Sequence, residues 1–584
     1  MLGRRTAEAE RREADHAYLD YVGRDSFYGF LAARRAQLFR DEDFALLYCP
    51  DNGRPSVPPS LLAAALLLQT YDGVSDEEAK ARADFDLRWK VALGIDLDAR
   101  PFAKSTLQFF RTQLIEHEQV LTIFRRSLTF AREAGYLRSR QVTAALDTSP
   151  ILGRGAVKDT YNLLADGIVA LLRALAAQDG RAWEEWAAAH GLARYGGASL
   201  KGAAGIDWDD PAARRAFLQA VVADADRLLA LARQALTGRE ADGPEPAGVR
   251  EAAEVLAQLL NQDIERRDDG VALREGVSPD RLVAVHDPEM RHGRKSATRR
   301  FDGHKGAVAV DTDSRLILAA AVLPGNAQDH EEALELVKEA EANAGVEVAA
   351  TVADCAYGDG ETRQAFADAG RTLVAKVPQR RDQAHFPKDD FRIDLDAMTC
   401  TCPAGHTCRT VAAIGSGRRY GAPGVALRAF RFAAAVCDAC PLRPSCVRAR
   451  PGRGRLVMLH PREALLQEAR AFQRSPAFAP YRRLRQVAEH RLARLMQLGV
   501  RQARYVGRTK TLCQLLLAAT VANLTLVATN VGLMRGYRSR PTVDKPVVHA
   551  IQAGRFAIYR LLAACEPPAR LRAYRTPAGF RPRF

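Results

Sequence analysis

The stretch HKGAVAVDTDSRLILAAAVLPGN, residues 304–326, holds two apolar runs joined by the polar turn Asp311, Thr312, Asp313 and Ser314. Turn chemistry of this kind between two β-prone runs predicts a hairpin. Working outward, HEEALELVKEAEANAG (330–345) has helical spacing, VEVAATVAD (346–354) is a further apolar strand ending on Asp354, and RTLVAKV (371–377) is one more candidate strand. Upstream, Val142, Ala144 and Leu146 alternate along VTAALD (142–147), a short strand ending on Asp147. Strands interleaved with helices predict an α/β fold built on a mixed sheet flanked by helices.

Other segments surround this sheet. Residues 1–135 read as an all-α N-terminal domain, with capping-box starts at Ser75 (Glu78 three residues on) and Ser105 (Gln108 three residues on). Within it PSLLAAALLLQTY, Asp72-Gly73-Val74 and SDEEAKARADFDLRWKVAL have the helix, turn, helix pattern of a DNA-binding module, which non-binding helical pairs share. The sheet domain is expected in three pieces, 136–165, 280–380 and 475–540. A helical insertion (166–279) and a Cys-rich insertion (381–474) interrupt it, and a basic tail (541–584) follows.

Composition narrows the partners. With 85 Lys+Arg against 70 Asp+Glu the net charge is +15 and the pI near 9.5, which favours an anionic partner, nucleic acid being the commonest. Arg and Ala richness also follows from a GC-rich genome. The N-terminus is charged and lacks a signal-peptide core, so a cytoplasmic protein is expected. The uncharged run from Leu512 to Met534 is long enough to span a membrane, but Thr520, Asn523, Thr525, Thr529 and Asn530 favour a buried helix, and no membrane partner is expected.

Six of the ten cysteines lie between Cys400 and Cys446. Cys437, Cys440 and Cys446 supply three thiolates at short spacing and Cys402 a fourth 35 residues before Cys437, the pattern of a structural, zinc-ribbon-like Zn2+ site. Cys400, His406 and Cys408 are alternative ligands, and unmetallated cytosolic thiols are the competing reading. Phosphodiester chemistry with two Mg2+ (or Mn2+) ions needs convergent carboxylates, which Asp147 and Asp354 offer if their strands are neighbours. In YRRLRQVAEHRLARLMQLGVRQARYVGRTKT (481–511), Tyr481, Arg485 and Glu489 recur every four residues and share one helix face, as they would also on a salt-bridged surface helix.

The chain resembles the insertion-sequence transposases of the DDE superfamily, in the branch with an N-terminal helical transposase domain and a tyrosine, arginine and glutamate motif. The resemblance runs through RPSVPPSLLAAALLLQTYDGVSDEEA, ALDTSPILGRGAVKDTYNLL, DPEMRHGRKSATRRFDGHKGAVAVD, PGNAQDHE, VADCAYGDGET and VAEHRLARLMQLGVRQARYVGRTKT, nearly the whole length. It implies an RNase H-like sheet, with Asp147, Asp354 and Glu489 as the catalytic, Mg2+-holding triad and Tyr481 and Arg485 as accessory DNA contacts. It also implies binding of terminal inverted repeats by a homodimer or higher oligomer, strand hydrolysis at the element ends, and joining of 3′-hydroxyls to target DNA. Two departures stand out: the Lys that often follows the Glu by seven residues is Met496 here, with Arg494, Arg501 or Arg504 as substitutes, and Tyr481 to Arg485 is one residue longer than usual. Tyr357, three residues after Asp354, matches a family position, with core packing as the alternative reading. Arg294 and Lys295, in a basic stretch before the hairpin, are further candidate phosphate contacts, with a solvated charged loop as the alternative reading. The rival readings are an inactive DNA-binding derivative, a nuclease of the same fold that does not join strands, and a zinc enzyme centred on the cysteines.

Overall fold

The computed structural model describes residues 1–5, 18–49, 53–237, 248–276, 278, 280–296, 298–379, 384–414 and 427–534. The basic tail and Cys565 lie outside the described residues. After a one-turn helix at Leu19–Val22, the described N-terminal part holds α1 (Phe27–Leu38), α2 (Pro59–Asp72), α3 (Asp76–Phe85), α4 (Leu87–Leu93), α5 (Lys104–Glu116) and α6 (Val120–Glu133). The expected helix, turn, helix is present but its second arm is two helices. Ser75 caps α3 by accepting the Glu78 N–H, and Asp86 breaks the run and caps α4 by accepting the Arg88 N–H. The start expected at Ser105 is corrected: α5 begins at Lys104 after Ala103, without a side-chain cap.

β1 (Gln141–Leu152) is a twelve-residue strand that continues well past the expected end at Asp147. The helical insertion follows, with α7 (Thr160–Gln178), α8 (Pro211–Thr237), α9 (Val249–Asp263) and a hairpin of β2 (Ile264–Arg267) and β3 (Gly270–Leu273). It encloses its own apolar core, which includes Leu171, Trp186, Val221 and Leu256. The main sheet resumes with β4 (Arg291–Arg294), β5 (Arg300–Asp311), β6 (Ile317–Pro324), α10 (Ala333–Ala344), β7 (Glu347–Val352), α11 (Gly360–Asp368) and β8 (Leu373–Val374). Its order is β6-β5-β1-β7-β8, with β4 extending the β6 side along the start of β5. β5 runs antiparallel to β1 and β6, whereas β1, β7 and β8 are parallel. At the crossing of β1, β4 and β5, Gly303 has φ +149° and a Cβ there would lie 2.2 Å from the Ile151 carbonyl oxygen, so only glycine lets these strands meet.

The Cys-rich segment forms two small three-stranded sheets, β9 (Arg392–Asp394), β10 (Thr399–Thr401) and β11 (Thr407–Cys408), then β12 (Val411–Ile414), β13 (Leu427–Arg431) and β14 (Leu456–Leu459). Helices α12 (Glu463–Arg474), α13 (Ala479–Leu484), α14 (Gln486–Leu495) and α15 (Arg508–Asn530) complete the described chain.

The N-terminal helices and the main sheet share one hydrophobic core, from Phe27 and Leu66 through Val308 to Val521, so position 135 separates helices from strands but not two cores. α15 and α7 are both long and apolar enough to cross a membrane by length and composition. In α15, however, 83% of the apolar window is buried, and the helix packs against α2, α6 and β6. Its Asn523 is fully buried, where it accepts the Ile317 N–H at 2.9 Å and donates to the Ile317 carbonyl at 2.8 Å. These bonds serve backbone groups at an irregularity between β5 and β6 and supply the partners a buried amide requires.

Candidate active site

Three parallel strands align their carboxyl ends, and the site is built there. Ala145 pairs with Val352, and Val352 with Val374, giving one row across β1, β7 and β8. Asp147, Asp354 and Lys376 each stand two residues beyond that row. Side chains alternate along a strand, so a two-residue step keeps the direction of the row residue and carries the group out past the parallel pairing. The crevice beyond the carboxyl ends of parallel strands is a common place for chemistry in α/β sheets.

Asp147 accepts the Thr148 N–H at 2.8 Å, and Asp354 caps a short turn by accepting the Ala356 N–H at 2.8 Å. Burial pushes the Asp147 carboxyl up to about 6; the charges of Asp354 and Glu489 push the same way, while the Thr148 N–H and Arg485 oppose them. The third acid comes from α14, which packs on β1 and β5. Its Ala488, Leu492 and Leu495 face the core, and Glu489 stands at the exposed edge of that face, paired with Arg485 at 2.6 Å. Asp147 thus feels the charges of both other carboxylates.

Arg485 and Tyr481 line an open cavity of about 410 Å³ together with Asp354, Lys376, Phe478 and Arg482. The four-residue spacing thus places Tyr481 and Arg485 beside Asp354, and Arg485 also touches Glu489. Met496, at the family's Lys position, is half-buried against the core and presents no charge. Arg504 is engaged elsewhere: it donates to the Val74 carbonyl at 2.7 Å and pairs with Asp76 at 3.2 Å, tying the end of the sheet domain to the turn before α3. The backbone of Arg501 and Ala503 clasps Leu152 at the end of β1, with bonds of 3.0 and 2.7 Å, and the Arg501 side chain is exposed. Arg294 and Lys295 are exposed at the end of β4, on the far side of β5 from β1.

Two further buried polar groups of the sheet domain are Lys305, which the sequence did not single out, and Tyr357. Lys305 on β5 is buried and donates to the Ala327 carbonyl at 2.6 Å and to Asp329 at 2.7 Å, so the PGNAQDHE segment is pinned to the sheet. Tyr357 is buried with a hydroxyl that has no hydrogen-bond partner; burial, then Asp147, Asp329 and Asp354, raise it well above its usual value. The signal for Lys305 is a lysine inside an apolar strand, which must find an acceptor.

In the Cys-rich segment, Cys402, Cys437, Cys440 and Cys446 line one small cleft, together with His406. Burial raises the Cys446 thiol, and Cys437, Cys402 and Cys440 act on it in the same direction. The Arg455 N–H donates to Cys437 Sγ at 3.4 Å. Of the alternative ligands, Cys400 and Cys408 face each other across β10 and β11, and Cys408 donates to the Arg431 carbonyl at 3.1 Å. Among the described residues, neither the acids nor the cysteines are drawn into a ready-made group of three or more metal ligands.

Two family models match the chain: a Transposase domain (DUF772) over residues 20–113 and a Transposase DDE domain over residues 401–528. The first covers α1 to α4 and most of α5; the second takes in much of the Cys-rich segment, Glu489 and α15, while Asp147 and Asp354 lie before it. No curated protein and no solved structure matches. Both matched models are transposase models, and together they support an insertion-sequence DDE transposase.

Proposed function

We propose that this transposase binds the ends of its own mobile element, hydrolyses phosphodiester bonds there and joins the freed 3′-hydroxyls to target DNA, with Asp147, Asp354 and Glu489 as the catalytic residues. The observation that supports the reading is the placement of Asp147 and Asp354 at the carboxyl ends of the neighbouring strands β1 and β7, where burial, with the charges of Asp354 and Glu489, lifts Asp147. The strand order β6-β5-β1-β7-β8, with β5 antiparallel to β1 and β6, supports assignment to the RNase H-like class.

The donor set fits divalent metal. Hard carboxylates are the ligands that Mg2+ or Mn2+ prefers, and like charges gathered without a cation repel one another. Bound there, a pair of such ions supplies activation of water or a 3′-hydroxyl and stabilisation of the leaving oxygen. The chain's own residues do the rest. Asp147 and Asp354 are fixed to adjacent strands and held by backbone N–H groups, which sets their separation. Arg485, already beside Glu489, is placed to exchange that partner for a DNA phosphate, and Tyr481 in the same cavity is placed to contact a base or sugar. Arg294, Lys295 and Arg501, exposed and basic, extend the phosphate-binding surface, and Arg504 acts by holding the N-terminal helices to the site.

For the cysteines, a structural Zn2+ held by Cys402, Cys437, Cys440 and Cys446 is the reading supported by their shared cleft and by the N–H donated to Cys437. A homodimer or higher oligomer on two element ends, acting in the bacterial cytoplasm on the nucleoid, completes the proposal. The test is Mg2+- or Mn2+-dependent cleavage and strand transfer on DNA carrying the element's ends. Wild type is expected to give both products, and Asp147→Ala, Asp354→Ala and Glu489→Ala neither, while all bind the ends. Undiminished activity in any of the three removes that residue from the site; cleavage without joining reduces the enzyme to a nuclease.

A further inference from the structure

Lys376, just beyond β8, stands two residues past the aligned row, as Asp147 does on β1 and Asp354 does just beyond β7. Beside the acids the strands thus present a cation. Lys376 is exposed and lines both the 410 Å³ cavity that contains Asp354 and an adjoining one of about 520 Å³. Phe478, Arg482 and Gln486 are likewise common to the two, so they form one continuous groove leading from the acids. Arg483 lines its outer part, and Asp354, at the inner end, is its only acidic lining residue among the described residues. Lys376, Arg482 and Arg483 form no ion pair among the described residues. Aromatic rings line the same wall: Phe472 packs edge-on to Phe478 at 5.9 Å and to Tyr481 at 6.0 Å, which stiffens both.

Unpaired cations along a groove with aromatic faces suit a chain of phosphates whose bases are free to stack, and a duplex hides those faces. We propose that this groove binds a single DNA strand leading away from the bond being cut, with Lys376 as a phosphate contact and Phe478 as a stacking platform. The inference rests on the transposase reading of the acidic site and names what lies next to it. It also supplies a phosphate-binding lysine in a chain that carries Met496 immediately after α14.

The experiment is fluorescence anisotropy of a labelled twelve-nucleotide oligo-dT with the full chain in EDTA, over a range of salt, so that no cleavage enters. Lys376→Ala is expected to weaken binding roughly tenfold and to reduce the magnitude of the slope of log affinity against log salt by about 0.7, one phosphate's share for a single strand. Phe478→Ala is expected to weaken binding roughly fivefold or more with an unchanged slope, as lost stacking should. Asp354→Asn should leave binding intact or tighten it. Wild-type affinity and slope in Lys376→Ala, or no binding of oligo-dT by wild type, overturns the groove. The metal-dependent reaction is measured separately: absence of cleavage by wild type, with these binding shifts present, overturns the catalytic reading but not the strand-binding groove.

Discussion

The acidic site and the cysteine cleft are both candidate metal centres, and they are made in opposite ways. Asp147, Asp354 and Glu489 come from three distant parts of the chain and are placed by a sheet and a helix that share a large core. Cys402, Cys437, Cys440 and Cys446 come from one short segment whose own core is small, centred on Phe391, Phe430 and Phe432. In the first case the fold makes the site and places repelling charges together. In the second, a bound ion would make the fold, because so few buried apolar groups cannot offset the entropy of ordering the segment.

The largest expected effect sharpens the first half of the contrast. Asp354→Asn should lower cleavage by about 10³-fold or more, with end-binding unchanged, because the scaffold persists without the ligand; a loss of fold by circular dichroism would break the distinction. Next comes metal removal at the cysteines. Chelation of zinc, or Cys437→Ser, should open residues 385–460 to protease while the main sheet stays resistant, since structural zinc contributes on the order of 10 kcal/mol to small modules. Equal resistance before and after chelation would show that the module holds itself.

Two smaller effects concern the scaffold. Asn523→Leu should cost about 2–4 kcal/mol in urea unfolding, because it strands the N–H and carbonyl of Ile317 in the core. Asp147→Asn should instead stabilise the metal-free protein at pH 7–8 by about 1–3 kcal/mol. The sign follows from the raised carboxyl: with a folded value of about 6 against an ordinary 3.8, wild-type stability is fully present below 3.8 and is lost as pH rises through 6. The advantage of the Asn variant should therefore vanish below about pH 4, and saturating Mg2+ should reverse it at neutral pH.

Much of this was legible in the sequence because period and turn chemistry are local. The hairpin at Asp311 to Ser314, the strand into Asp354 and the Ser75 cap all follow from short-range rules. β1 was read too short for a reason of pairing. Beyond Ala145 it has lost β7, so its alternation fades and Pro150 is tolerated on a side with no ladder to complete. Ser105 failed as a cap because a capping box needs the chain to enter extended at that residue, and Pro101 to Ala103 had already set the entry. Lys376 and Phe478 were invisible as site residues because their meaning depends on register and on α13, not on neighbours in sequence. The splitting of the acidic site over distant segments hid its geometry in the same way, although the residue types were plain.

That splitting has a temporal consequence. Glu489 leaves the ribosome 342 residues after Asp147 (489 − 147), which at bacterial-to-eukaryotic rates of 5–20 residues per second is roughly 20–70 s later. Until then the emerging sheet carries two aspartates and no third acid, and α15, which seals the core, is later still. On the proposed assignment, a chain stopped before Glu489 would carry Asp147 and Asp354 without the third carboxylate.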